Sequence, residues 1–233
     1  MMQIPLKYIL RSAVSRRLTS AITMIGIALV VFVFSAVLMM ANGVQKTLRS
    51  TGSDDNIIVA RKAAASEIMS IIDREAAGIV VNLPQVARGA DGAPLGSKEV
   101  VVIINLNKLG AKGISNVTVR GVEEAALQLR PQVKITEGRM FHWGAREVIV
   151  GAGITQRFVG AQLGGKIKFG GDFWTVVGLF DADGSGFDSE LWGDLNQIAA
   201  AFKRSSFSTV TVRLKDPADL SSIVSAFESD NRL

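Results

Sequence analysis

The residues with the most obvious chemical potential lie late in the chain. Asp181-Ala-Asp183-Gly-Ser185-Gly186-Phe-Asp188-Ser-Glu190 places carboxylates at the first and third positions of a calcium-type loop, a hydroxyl at the fifth and glycine at the sixth. The twelfth position, where a bidentate glutamate should close the shell, is Trp192, and the loop follows a strand rather than a helix. It reads as a solvated turn. Gly151-Ala-Gly153-Ile-Thr-Gln156 follows a strand and opens a helix, but it lacks the third glycine and the βαβ setting of a dinucleotide site. A tight strand-to-helix turn is expected there. His142 is the only histidine. One imidazole builds neither a zinc site nor a Ser-His-Asp set without distant partners, and no candidate partner stands out, so it reads as structural.

The sequence has no Walker A motif and no cysteine. Thiolate metal sites, disulfides and a cysteine nucleophile are thereby excluded. No acid–base–nucleophile set can be assembled, so the chain is expected to be no enzyme and to use no cofactor or metal.

Positioning falls to one long stretch. Leu18–Gln45 carries no charge and holds a continuous apolar run from Ile22 to Met40. About 20 apolar residues, rising 1.5 Å each, cross a bilayer core of about 30 Å. Lipid offers the backbone no partners, so such a segment must be helical. A cleaved leader would have a shorter apolar core and a small-x-small site. Here the run ends Met39-Met40-Ala41-Asn42-Gly43. The reading is an uncleaved signal-anchor helix over 18–45.

Charge sets its orientation. Lys7, Arg11, Arg16 and Arg17 precede the span with no acid among them, and only Lys46 and Arg49 follow before Asp54. Basic flanks stay cytoplasmic, which places the N-terminus inside and residues after about Val44 outside. Residues 1–53 hold six basic groups and no acid, while the whole chain is +5, so the remainder is −1. The basic excess lies beside the membrane, against anionic headgroups, and nucleic acid is set aside as a partner. Residues 3–17, with Pro5 at the start and Leu6, Ile9, Leu10 and Ala13 on one side, read as a cytoplasmic amphipathic helix. Within the span, Ala21, Ala28, Ser35 and Asn42 recur every seven residues and form one small-residue stripe, suited to close helix packing.

Residues 46–233 read as a mixed α+β domain of short strands and helices. A stalk runs to Ser50. Strands are expected at Asn56–Ala60, Glu99–Asn105, Asn116–Val122, Val133–Thr136, Arg146–Val150 and Phe207–Leu214, with a hairpin over Lys166–Phe169 and Phe173–Phe180. Helices are expected at Ser66–Ala76, capped by Ser66, and at Glu123–Leu129, Ile154–Val159, Leu195–Lys203 and Ala218–Phe227.

The order of these pieces carries a resemblance. After the helix come Gly121-Val-Glu-Glu124, Ile135-Thr-Glu-Gly-Arg139, Arg146-Glu-Val-Ile-Val-Gly151, Leu163-Gly-Gly-Lys-Ile-Lys168 and Phe173-Trp-Thr-Val-Val-Gly-Leu179. The chain resembles the MacB/FtsX-type permeases of ABC transporters, over their first membrane helix and periplasmic core domain. Glycines 138, 151, 164, 165 and 178 would be turn or close-approach positions. The resemblance implies residence in the bacterial inner membrane and contact with membrane lipid. It further implies dimerisation with a second permease copy, a separate cytoplasmic ABC ATPase and a periplasmic adaptor protein. The ATPase would drive export or mechanical work in the periplasm. Such permeases have three further helices after the outer domain. The sequence ends at Leu233, which points to a fragment or split gene product; a stand-alone, single-pass binding or adaptor module is the alternative.

Overall fold

The computed structural model describes residues 16–53 and 55–229. Lys7, Arg11 and all but the last two residues of the expected amphipathic segment lie outside the described residues. The chain divides into two units, Met1–Lys46 and Thr47–Leu233.

The apolar run forms a single helix, α1 (Arg17–Thr51), which covers the expected span and stalk. Its stretch Arg17–Thr47 is long and apolar enough to cross a membrane, and its large apolar side chains are exposed. Ile25, Phe32 and Met39 all face outwards. Water would not tolerate such a continuous apolar surface.

The second unit is built on a nine-stranded mixed sheet. Its strands are β1 (Asn56–Val59), β2 (Gly96–Asn107), β3 (Ile114–Val122), β4 (Lys134–Gly138), β5 (Glu147–Gly151), β6 (Lys166–Phe169), β7 (Asp172–Asp181), β8 (Glu190–Asp194) and β9 (Thr209–Arg213). The order is β1-β9-β2-β3-β8-β5-β7-β4, with β6 also paired to β7. β2 serves two neighbours: Gly96–Glu99 pairs with β9, and Val100–Asn107 pairs with β3. The pairs β3/β8 and β5/β7 are parallel, and the others are antiparallel. Between the strands lie the helices α2 (Arg74–Val81), α3 (Ala125–Leu129), α4 (Ala152–Thr155) and α5 (Leu195–Ala201), and α6 (Leu220–Ser229) follows β9.

Alternation along the strands loads both faces of the sheet. Val100, Val102, Val119, Val148, Val150 and Leu191 belong to the larger core, together with Ala77 and Val80 of α2 and Ile198 of α5. The opposite face contributes Val122, Ile149, Phe180 and Trp192 to a second core, closed by Ala126 of α3 and by Phe141 and Phe187 from loops.

Three expectations are corrected. The helix expected over Ser66–Ala76 does not form: Glu67–Met69 is a short 3₁₀ turn, and Ser66 makes no side-chain cap. Asp73 caps α2 instead, accepting from Ala76 N–H at 2.8 Å. Ile72 exchanges two backbone hydrogen bonds with Phe207, so sheet pairing takes it out of the helical stripe. The helix expected at Ile154–Val159 is shorter and earlier, because residues 157–159 pair with 107–109 at the tip of the β2–β3 hairpin. The third correction is a strand the pattern did not suggest, β8. Its residues Glu190-Leu-Trp-Gly-Asp194 are all buried near the middle of the sheet.

Candidate functional site

Arg120 is the residue around which the site is built. It stands on β3, paired across the sheet with Trp192 of β8, and is nearly inaccessible. Its Nε and Nη2 donate to the two oxygens of Glu190 at 2.7 and 2.8 Å, and its Nη1 donates to Glu99 at 2.8 Å and to Glu67 at 2.7 Å. Arg130, at the C-terminus of α3, donates to Glu99 at 2.9 Å and to Thr211 Oγ1 at 3.1 Å. A second, less well aligned ion contact joins Arg130 Nη1 to Glu99 Oε1 at 2.6 Å. Trp192 Nε1 donates to Glu190. The Phe187 ring covers the cluster, 5.0 Å from the Arg130 guanidinium carbon and 5.6 Å from that of Arg120.

Burial alone would raise the Glu99 carboxyl, but the charges of Arg130 and Arg120 outweigh it and hold the pKa below its ordinary value. Burial likewise disfavours charge on Arg120, and the carboxylates of Glu190, Glu99 and Glu67 more than reverse that, keeping it charged. Groups fixed in their charged forms exchange no protons near neutral pH. The cluster is a clamp between β2, β3, β8, α3 and the Glu67 turn, in which Glu99 and Arg120 stay charged.

The loop that supplies Phe187 also holds the end of α1. Gly186 N–H donates to Thr51 Oγ1 at 2.9 Å, and that hydroxyl donates to Thr47 O at 2.8 Å. Adjacent residues thus touch the last residue of α1 and the buried clamp. Within the loop, Asp188 accepts from Ala182 and Gly184 N–H, and Asp181 accepts from Asp183 N–H, so these carboxylates brace their own turn. The turn packs tightly on the start of α4: a Cβ on Gly151 would lie 2.4 Å from Asp188 O. This contact, and not a phosphate cradle, accounts for the glycine.

His142, read from the sequence as structural, lies beside Glu147. Its N–H and Nδ1 both meet Glu147 Oε2, at 2.9 and 3.2 Å, on the protein surface. Arg139 grips both oxygens of the same carboxylate at 2.7 Å. The Arg139 hydrogen bonds, against a burial penalty and aided by the His142 N–H, bring the Glu147 carboxyl down to about 2.

The remaining expected residues lie on α1. Arg16 and Arg17 sit exposed at its start, and Ala21, Ala28, Ser35 and Asn42 line one side of it, none of them buried. Residues 20–230 match the family model of the MacB-like periplasmic core domain. The chain belongs to that family. The match runs from α1 to the end of α6, so this MacB-like chain carries the periplasmic-type domain of ABC-type transporter permeases together with the apolar helix before it. Its fold is similar to that of the periplasmic region of MacB from Actinobacillus actinomycetemcomitans, with a TM-score of 0.56, 14% identity, and coverage of 78% of this chain and 86% of the other. It is also similar to the extracellular domain of the ABC-type transporter YknZ from Gram-positive bacteria, with a TM-score of 0.52, 15% identity and coverage of 72% and 87%. No curated protein matches the chain.

The sequence reading missed the clamp in this MacB-like domain. A signal was present: Glu99 directly precedes Val-Val-Val-Ile-Ile, and Arg120 interrupts Val-Thr-Val-Arg-Gly-Val. Charges inside such β-branched runs mark buried ion pairs.

Proposed function

We propose that the chain is the N-terminal part of the permease subunit of an ABC transporter. α1 spans the inner membrane once, with Lys7, Arg11, Arg16 and Arg17 on the cytoplasmic side and the folded domain in the periplasm. A separate ABC ATPase supplies the energy, and two permease copies act together. The stripe Ala21, Ala28, Ser35 and Asn42 faces helices of the same assembly, where small side chains permit close backbone approach. The domain works by moving and binding, without a catalytic centre of its own. A periplasmic adaptor protein is a further partner in this reading.

The observation that carries the proposal is the continuity of the family match, residues 20–230, from the apolar helix through the whole sheet domain. The contact from Gly186 to Thr51 supports a mechanical role, because it ties the end of α1 to the loop that covers the clamp. The test is co-purification. The tagged chain, solubilised mildly from native membranes, should bring down a P-loop ATPase subunit, and a cross-link between cysteines placed at Ser35 of two copies should differ in yield between ATP and ADP. Purification without an ATPase, together with a nucleotide-independent cross-link, contradicts the reading.

A further inference from the structure

The tip of the β2–β3 hairpin and the segment that follows α4 form one basic and apolar surface. Leu109 N–H donates to Arg157 O at 2.8 Å, and Val159 N–H donates to Asn107 O at 3.0 Å, so the two segments are joined by backbone pairing. Gly160 then packs against Lys166 at the start of β6. Lys108, Lys112, Arg157, Lys166 and Lys168 are all exposed. Residues 100–122 and 148–171, which supply this surface, contain no Asp or Glu. None of the five cations takes part in an ion pair among the described residues. Interleaved with them are Leu109, Ile114 and Val159, each about half exposed or more, and Ile114 at 63%. The domain beyond residue 53 carries −1 overall with these five cations included, so this concentration of positive charge is local.

A chain of contacts links the surface to the end of α1. Thr51 is bonded to Gly186, Asp188 packs on Gly151 and Gly153 at the start of α4, and α4 leads within four residues of Gly153 to Arg157. Thr51 in turn is six residues past Gln45, and six residues reach at most about 20 Å even when fully extended. Two acids of the intervening loop, Asp181 and Asp188, are turned onto their own backbone.

We propose that this surface docks on the anionic headgroup layer of the membrane that α1 crosses, with the lysines and Arg157 on lipid phosphates and the Leu109–Ile114 tip reaching the acyl boundary. Positive charge beside exposed aliphatic side chains is the chemistry of interfacial binding. The inference rests on the spanning reading of α1 and adds a second membrane contact, made by the domain itself.

Because the chain has no cysteine, Ala111→Cys gives a single labelling site at the tip. The full chain carrying a fluorophore there is reconstituted in phosphatidylcholine vesicles with or without about one third phosphatidylglycerol, each doped with headgroup-quencher lipid. Flotation and carbonate extraction report insertion separately. The expected result is strong quenching in the anionic vesicles only, released by 0.5 M salt. Lys112→Glu and Lys166→Glu, with folding checked by near-UV circular dichroism, should lower the docked-to-free ratio about fivefold or more for each cation removed. Ile114→Ser should weaken quenching while leaving its salt dependence. An inserted chain with equal quenching in both vesicle types, or none in either, overturns the docking alone. A chain stripped by carbonate overturns the spanning reading and the docking together. If soluble polyglutamate shields the label from aqueous iodide while anionic vesicles do not, the surface is for an acidic polypeptide and the proposal fails.

Discussion

Arg120 and Glu190 meet in a fork: Nε and Nη2 of the arginine face the two carboxylate oxygens at 2.7 and 2.8 Å, across the parallel strands β3 and β8. The geometry is bidentate and buried, and the surplus donor on Nη1 is used by Glu99 and Glu67. Breaking such a pair leaves an uncompensated charge inside the protein, which is costlier than never having had the pair.

Arg120→Met should therefore destabilise the domain by about 3–5 kcal/mol. The double variant Arg120→Met/Glu190→Gln should lose less than the two single losses added together, since it removes both ends of one interaction. Urea unfolding followed by tryptophan fluorescence is the measurement, as Trp192 sits in the cluster. Additive losses would show that the fork is not a coupled unit.

Thr51→Val removes the acceptor for Gly186 N–H at nearly constant shape. A loss of about 1 kcal/mol is expected. It should appear as faster amide exchange over residues 182–189, with β3 and β8 unchanged. Uniform acceleration across the sheet would mean that the contact supports the whole domain and is no local joint.

Much of this arrangement could be read from the sequence, and the exceptions share one cause. α1 was legible because charge is absent over 28 residues, from Leu18 to Gln45, and no tertiary contact is needed to make it a helix. The β6–β7 hairpin was legible from Gly170-Gly171, both at positive φ in the turn. β8 was not, because Glu190, Gly193 and Asp194 look like loop residues until Arg120 and the α5 N-terminus take up the two carboxylates. Ser66 and Asp73 are both good caps, and only the pairing of Ile72 with Phe207 chooses between them. The stripe on α1 was read from spacing alone, and none of its four residues is buried.

The surface pair predicts an acid-side effect. Glu147 has its carboxyl lowered from an ordinary 4.5 to about 2. A depressed folded-state pKa gives stability that is fully present above the unfolded value and is lost as pH falls through the folded one. Glu147→Gln should thus destabilise the protein at pH 7 and flatten its stability profile between about pH 4.5 and pH 2. An unchanged acid limb in the variant, by thermal melting, counts against the Arg139–Glu147 pairing in solution.

For the stripe, Ala28→Leu should impair assembly of the transporter much more than Leu29→Ala, because on the proposed packing only the former would put bulk between neighbouring backbones. Blue-native electrophoresis of the complex reads this directly, and equal effects would remove the stripe from the interface.

The central claim is that the chain crosses the inner membrane once, N-terminus inside and sheet domain outside. Single cysteines at Ser12 and Ser205, in a protein that otherwise has none, test it with a membrane-impermeant maleimide on spheroplasts. The account predicts labelling of Ser205→Cys in intact spheroplasts and of Ser12→Cys only after the membrane is opened. Labelling of Ser12→Cys from outside, or protection of Ser205→Cys, would contradict it.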